Sequence, residues 1–355
     1  MHSAQLKILT GPTLLWLKQS FEACNGNGSA AWNSRIRRPF SGWSDAYPET
    51  TGYIIETLLD YFEIYSEDWM HHYALSAADW LIGIQRSDGS FPGGLGTEGP
   101  PSIFNSGMIL FGLERAYVFS KQEKYFDHAK KTAEWLCNML DDEGKWSGAA
   151  YVKGYIPSYY TRVIWAVLKF NQHKQDEVMT QKMKLAYRYY CQKFLSENSA
   201  KDWSFEPGKP AFTHTIAYTM RGFIESATLL NDRTGIEIAE KIAEQLNTEL
   251  KKMGAVAGSY DENWNGDYSF TCVTGNAQLS VNFFRLFELT NSEMYRNTSK
   301  ALFETVKNAA SSFPMKGIRG GIPGSFPFWG KYMPLQYINW AAKFWLDAAR
   351  LMYVE

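Results

Sequence analysis

Six carboxylates stand in stretches rich in glycine, proline and tryptophan: Asp45, Glu49, Asp88, Glu206, Asp261 and Asp267. Two carboxylates can cleave a glycosidic bond when held roughly 5–9.5 Å apart, one as acid and the other as base or nucleophile. Glu49, just ahead of an apolar run, and Asp261, in Y-D-E-N-W-N-G-D-Y, are the pair best placed for this. A second set suits proton abstraction next to a carboxylate, the first step of elimination or epimerisation. Tyr159, Tyr160, His214 and Tyr218 can take or return the proton, while Arg162, Asn105 and Asn276 can hold the carboxylate and the developing enolate. Of the six histidines only His214, in F-T-H-T, opens an apolar run. The set Tyr159, Arg162, His214 and Tyr218 is therefore preferred to the Glu49/Asp261 pair.

Each residue also has a structural use. Glu49 can cap a helix before Thr50-Thr51, and Asn105 and Asn276 can do the same. Asp261 and Asp267 can build an ordinary turn. His214 can be a hydrogen-bonded packing residue, and Arg221 can pair with a buried acid such as Glu56.

Aromatic residues make up 16% of the chain, with 13 Trp, 21 Tyr and 22 Phe. Flat rings stack on sugar faces, so Trp43, Trp146, Trp203, Trp264 and Trp329 are candidate substrate-binding residues, together with Asn105, Asn276 and Arg221. Each of the five indoles can instead plug the edge of a helical hairpin.

These residues need a scaffold that gathers them. Apolar runs at helical spacing begin near Thr51, Phe104, Pro157, Phe212, Cys272 and Pro334, at intervals of 53, 53, 55, 60 and 62 residues. Such a fixed period marks a repeat architecture. The six runs are apolar nearly all round, as buried helices are. A more charged, amphipathic segment precedes each: roughly Pro12–Cys24, then Asp68–Gln85, Glu123–Leu140, Asp176–Leu195, Gly235–Leu250 and Glu293–Ala310. Twelve helices, alternately exposed and buried, predict an all-α (α/α)6 toroid spanning 1–355 as a single domain. Links from buried to exposed helices are short. The return links run to about 15–20 residues, a length that usually signals function. Alternating direction puts all the long links on one face, with the six buried N-termini and their partial positive charge. Arg162, His214 and Arg221 reinforce that field, and a uronic-acid carboxylate is a natural guest.

The segment W-L-I-G-I-Q-R-S-D-G-S-F resembles the aromatic, Gln, Gly, aromatic repeat of squalene–hopene cyclases and related α-toroid proteins. The loop G-W-S-D-A-Y-P-E-T-T-G-Y resembles a segment of uncharacterised toroid proteins of bacterial surface-polysaccharide synthesis. The layout as a whole is similar to the six-hairpin scaffold of glycosidases, uronate-polymer lyases and sugar epimerases. These resemblances imply the toroid and a carbohydrate or a terpenoid as substrate. Terpenoid cyclisation is disfavoured, because the chain has no Asp-x-Asp-Asp motif and no Asp-Asp-x-x-Asp clamp.

The remaining composition narrows the class. A net charge of -1 argues against a broad polycationic surface for nucleic acid. No apolar stretch is long enough for a membrane span. Cys24, Cys137, Cys191 and Cys272 lack metal-ligand spacing and read as small buried hydrophobes in a reducing compartment. No P-loop or dinucleotide fingerprint occurs, so no cofactor is expected. With no signal segment ahead of it, the chain is expected in the cytoplasm. The reading is a carbohydrate-active protein that cleaves or modifies an acidic polysaccharide or oligosaccharide. Hydrolysis through Glu49 and a loop Asp, or glycan binding without catalysis, are the alternatives.

Overall fold

A computed structural model of the chain describes residues 2–197, 199–311 and 319–354. Among these, twelve α-helices alternate between an outer and an inner layer. The outer helices are α1 (His2–Glu22), α3 (Asp68–Ile84), α5 (Glu123–Asn138), α7 (Glu177–Glu197), α9 (Arg233–Met253) and α11 (Glu293–Ser311). The inner ones are α2 (Pro48–Tyr65), α4 (Ile103–Ser120), α6 (Thr161–Lys174), α8 (Thr213–Leu230), α10 (Val273–Thr290) and α12 (Asn339–Val354). Each inner helix packs on the next, and α12 returns to α2, so the inner layer closes into a ring. This is the expected (α/α)6 toroid.

The two layers differ as their sequences require. In α9 the buried residues Ile238, Ala239, Ile242, Ala243 and Leu246 form one stripe. In α4 every residue from Ile103 to Glu114 is buried. Neighbouring inner helices touch closely where side chains vanish: a Cβ on Gly112 of α4 would lie 2.1 Å from the Gly52 carbonyl oxygen of α2. Gln85 bridges neighbouring hairpins. Its Nε2 donates to the carbonyls of Gly89 (3.2 Å) and His128 (2.9 Å) and to Thr132 Oγ1 (2.8 Å), tying one hairpin to the next.

The short links share one device. Helices α2, α4, α6, α8 and α10 are each followed by a left-handed residue: Ser66, Lys121, Gln175, Asn231 and Asn291, with φ between 53° and 57°. The chain turns there and starts the next outer helix within a few residues. The long links carry short antiparallel ladders instead. Trp32–Asn33 pairs with Tyr337–Ile338, and Ala211–Phe212, Ser259–Tyr260 and Gly266–Asp267 form a three-stranded patch. Thr271–Cys272 pairs with Ser325–Phe326.

Two boundaries differ from the sequence expectation. Helix α1 begins well before Pro12, which lies inside it; the ring's missing N–H costs one helical bond that packing of Leu6, Leu14 and Leu17 offsets. The last inner helix starts at Asn339 rather than Pro334, because Tyr337 and Ile338 are drawn into the ladder with Trp32–Asn33. That ladder and Asn339, whose Nδ2 donates to Ser29 Oγ, Ala30 O and Thr50 Oγ1 at 3.0 Å each, close the ring. Cys137, Cys191 and Cys272 are buried and Cys24 is half-buried, all as free thiols. No described helix is long and apolar enough to cross a membrane.

Candidate active site

The N-terminal tips of four inner helices, α2, α4, α8 and α12, meet at one crater of about 500 Å³. Glu49, Thr50 and Tyr53 come from α2, Phe104 from α4, His214 and Tyr218 from α8, and Trp340 from α12. The long links add Trp32, Tyr47, Tyr151, Phe205, Glu206 and Tyr332. A second cavity of about 610 Å³ adjoins it across Phe205 and Glu206, and includes Lys209, Asp261, Asp267 and Lys331. Ring faces and a few polar groups are what a carbohydrate pocket requires.

Glu49 is the central polar group. Tyr47, not Glu49, is the N-cap of α2, and Pro48 occupies the first turn. Glu49 is 7% exposed and its carboxyl turns into the crater, where Oε2 accepts from Tyr47 (2.5 Å) and has the Tyr151 hydroxyl 3.4 Å away. Burial pushes its pKa up to about 7, against the opposing pull of the two phenols and Arg162. At neutral pH a large share of Glu49 therefore carries a proton.

Tyr151 is held in turn by Asn105. Its hydroxyl donates to Asn105 Oδ1, while Asn105 Nδ2 donates to the Pro92 carbonyl at 2.9 Å. The cap of α4 is Ser102, whose Oγ accepts from the Asn105 N–H at 3.2 Å. Asn105 is thus neither a cap nor a crater-lining group; it steers a phenol that touches the acid.

His214 lines the crater at the start of α8, with Tyr218 (4.3 Å between ring centres) and Tyr332 (5.3 Å) against its ring. Its Nδ1 lies 2.5 Å from Gln278 Nε2. Burial, helped by the charge of Arg162, lowers its pKa to about 3, so the imidazole is neutral. Gly275 permits this placement, because a Cβ there would sit 2.7 Å from the His214 backbone nitrogen. The phenols of Tyr53 and Tyr218 are close enough to act on each other's ionisation. Neither hydroxyl completes a hydrogen bond among the described residues.

Other predicted residues lie elsewhere. Tyr159 packs behind the crater against Phe104 (4.9 Å) and Phe205 (5.7 Å). Arg162 does not join the mouth. A 3-10 turn at Ser158–Tyr160 precedes α6, so Arg162 sits below the tip, with its guanidinium 4.8 Å from the Tyr218 ring. It lines a third cavity of about 370 Å³. Arg221 lines that cavity too, and its partner is Glu225 (2.9 Å), not Glu56, which is held by Lys169 at 2.6 Å. The cationic field expected at the mouth is absent: no Lys or Arg lines the crater among the described residues. Asn276 is buried on α10, its Oδ1 without a partner among the described residues, and lies outside the crater lining.

Asp261 lines the adjoining cavity, but its oxygens accept from the Asn263 and Asn265 N–H groups (2.9 Å each) and Asn265 Nδ2 (2.8 Å). It closes a turn. Asp267 pairs with Lys331 at 2.6 Å, which holds its carboxyl at about 2.

The five loop indoles do not line the crater either. Trp146 is fully enclosed, its Nε1 donating to the Leu136 carbonyl at 2.8 Å. Trp203 is wedged between Phe194 and Trp264, 5.6 Å from each. Trp264 also packs on Tyr260, and Trp43 packs on Trp16 at 5.0 Å. Trp329 is 69% exposed on the surface. The crater's indoles are Trp32 and Trp340, both missed in the sequence. Trp340 lies inside an apolar run, where an aromatic reads as core. Trp32 follows the first helix in a link whose strand partner is some 300 residues away.

No family model and no curated protein matches the sequence. Solved structures do match, over nearly the whole chain. An unsaturated glucuronyl hydrolase specific for heparin superposes with a TM-score of 0.76 at 16% identity, covering 97% of this chain and 96% of that one. An unsaturated glucuronyl hydrolase from Bacillus sp. GL1, responsible for the degradation of glycosaminoglycan, gives 0.73 at 14%, over 98% and 96%. Cellobiose 2-epimerase from Bacillus thermoamylovorans B4167 gives 0.64 at 13%, over 91% and 92%. The fold is the six-hairpin toroid these structures share. At such identities the likeness extends to the fold.

Proposed function

We propose that this chain is a carbohydrate-processing enzyme of the hydrolytic class that works by proton donation from Glu49. One observation carries the reading: a buried carboxyl, at a pKa of about 7, projects into an aromatic crater where the tips of four inner helices meet. A protonated carboxylic acid gives a proton to a glycosidic leaving oxygen, or to the alkene carbon of an enol ether, more readily than it removes one from carbon. Trp32, Trp340 and Tyr332 supply ring faces for the sugar. Glu206, at the rim between the two cavities, is the second carboxylate available to orient water. Asp261, committed to its turn, is not proposed for that part. Glycosaminoglycan-degrading and sugar-epimerising enzymes among the fold's neighbours support a sugar substrate.

Proton abstraction through His214 is the second reading, favoured by its neutral imidazole in the same crater. Against it stand the low basicity of His214, at about 3, and the removal of Arg162 and Asn276 from the mouth. The carboxylate of an acidic sugar would be met by Lys209 in the adjoining cavity, where Lys331 is already paired with Asp267, rather than in the crater itself.

The test is incubation of wild type and Glu49→Gln with an unsaturated glucuronyl disaccharide and with cellobiose, followed by proton NMR. Cleavage by wild type, reduced about a hundredfold or more in the variant, is expected for loss of a general acid. Solvent deuterium entering an uncleaved sugar would transfer the assignment to His214. Binding without turnover would make the protein a glycan-binding module.

A further inference from the structure

The third cavity opens at the other end of the ring axis, where the later turns of the inner helices meet. Its wall is ionic. Seven cations, Arg115, Arg162, Lys169, Arg221, Arg285, Lys343 and Arg350, share it with five carboxylates. Those carboxylates are engaged. Glu56 holds Lys169 at 2.6 Å, Asp60 holds Arg115 at 2.9 Å, and Asp347 holds Lys343. Glu288 and Glu225 both hold Arg285, at 2.5 and 3.0 Å. Glu114, buried behind the wall, takes the second contact of Lys169 at 3.0 Å.

Arg162 is different. It is 3% exposed and has no carboxylate within ion-pair distance among the described residues. It donates from Nε to Met108 Sδ at 3.2 Å and lies among the rings of Phe111, Trp165, Tyr218 and Phe344. Neither of its Nη groups has a hydrogen-bond acceptor among the described residues. Arg221 approaches the same Trp165 ring, 5.2 Å away against 5.0 Å for Arg162. Its Nε is 2.9 Å from Glu225 but angled so that it completes no hydrogen bond. Two guanidiniums thus converge on one indole with donors to spare. The charge of Arg162 reaches Glu49, Glu56 and Glu225, but no carboxylate touches it; a buried cation without a contact partner is costly, and an arginine fork is shaped for oxyanions. The negative helix ends do not oppose a guest here, since that effect fades within the last turn and the left-handed caps lie further out.

We infer that this cavity binds a small oxyanion, of the phosphate or sulfate kind, between the guanidiniums of Arg162 and Arg221. The site is separate from the crater, with the rings of Tyr218 and Phe344 between them. Its occupancy does not depend on which reaction the crater performs.

The test uses the full chain. Thermal unfolding is followed against inorganic phosphate and sulfate at constant ionic strength, with sodium chloride as the reference. A dose-dependent rise in Tm above the chloride control is expected. Arg162→Gln should weaken the apparent affinity about tenfold or more, as loss of a charge-assisted fork does. Val281→Glu, which places a carboxylate in the same cavity while leaving both arginines, should abolish the response. It also covers the case in which Arg162→Gln fails to fold. A selenate-soaked crystal should show its anomalous peak between Arg162 and Arg221. No rise with either anion, an unchanged response in Val281→Glu, or a peak only at surface lysines would each overturn the assignment.

Discussion

The proposed chemistry rests, at the residue scale, on Glu49 and the phenols beside its carboxyl. Its pKa is raised to about 7 by burial, so the protonated form is the one the fold prefers. If it is the acid, kcat/KM falls as pH rises through about 7. The Tyr47 and Tyr151 hydroxyls both pull that pKa down, so Tyr47→Phe and Tyr151→Phe should move the alkaline limb to higher pH. Tyr47→Phe should move it further, since the Tyr47 hydroxyl donates to Oε2 at 2.5 Å while that of Tyr151 stands 3.4 Å away. Stability follows the same sign. Glu49's contribution is fully present below the unfolded carboxylate value of 4.5 and is lost as pH rises through about 7. His214 acts in the other direction. Its folded pKa of about 3 lies below the ordinary imidazole value of 6.5, so its contribution is present above 6.5 and drains away as pH falls toward 3. Urea titrations of wild type, Glu49→Gln and His214→Gln across that range should separate the two slopes. Each variant should lack its own.

Residue legibility had a physical limit. Glu49 and His214 line the crater because a polar group at the start of an apolar run must end up near a helix tip, and Tyr218 lies one turn further along the same face as His214. Arg162 satisfied the same rule and failed, because a turn of 3-10 helix ahead of α6 lowers it by one turn. The loop indoles failed for another reason. Gly, Asp and Trp in one link describe a turn plugged by a ring as well as a cleft lined by one, as Trp146 on the Leu136 carbonyl demonstrates.

At the scale of elements, the toroid rests on close helix contacts and on the repeated left-handed cap. Gly52→Ala or Gly112→Ala would drive a methyl into backbone, and overpacking of this kind costs typically about 1–3 kcal/mol. Lys121 adopts φ 57° as the cap of α4, a conformation that costs a residue with a Cβ roughly 1–2 kcal/mol. Lys121→Gly should therefore raise stability by about 0.5–1 kcal/mol after the glycine's own entropy cost, as measured by denaturant midpoint. These elements were the most readable part of the chain. Six apolar runs at near-constant spacing leave few other ways to bury themselves. The first and last helices were least well placed, because α1 runs through a proline and α12 yields its start to a strand.

For the whole molecule, closure depends on pairing between residues some 300 apart, which periodicity does not encode. Asn339 is the clasp, with three bonds from one amide. Asn339→Ala leaves buried acceptors unmet and should cost about 1–3 kcal/mol, read as a lower Tm. The closed ring has an axis with two ends of different character. One end is an aromatic crater with a protonatable acid, and the other an ionic cavity around Arg162.

The most direct measurement of the central claim is a crystal structure of Glu49→Gln soaked with cellobiose and, separately, with an unsaturated glucuronyl disaccharide. A sugar ring is expected in the crater against Trp32 and Trp340, with a linking oxygen in hydrogen-bond reach of residue 49. A sugar found only at Trp329 or elsewhere on the surface, with the crater filled by solvent, would contradict it.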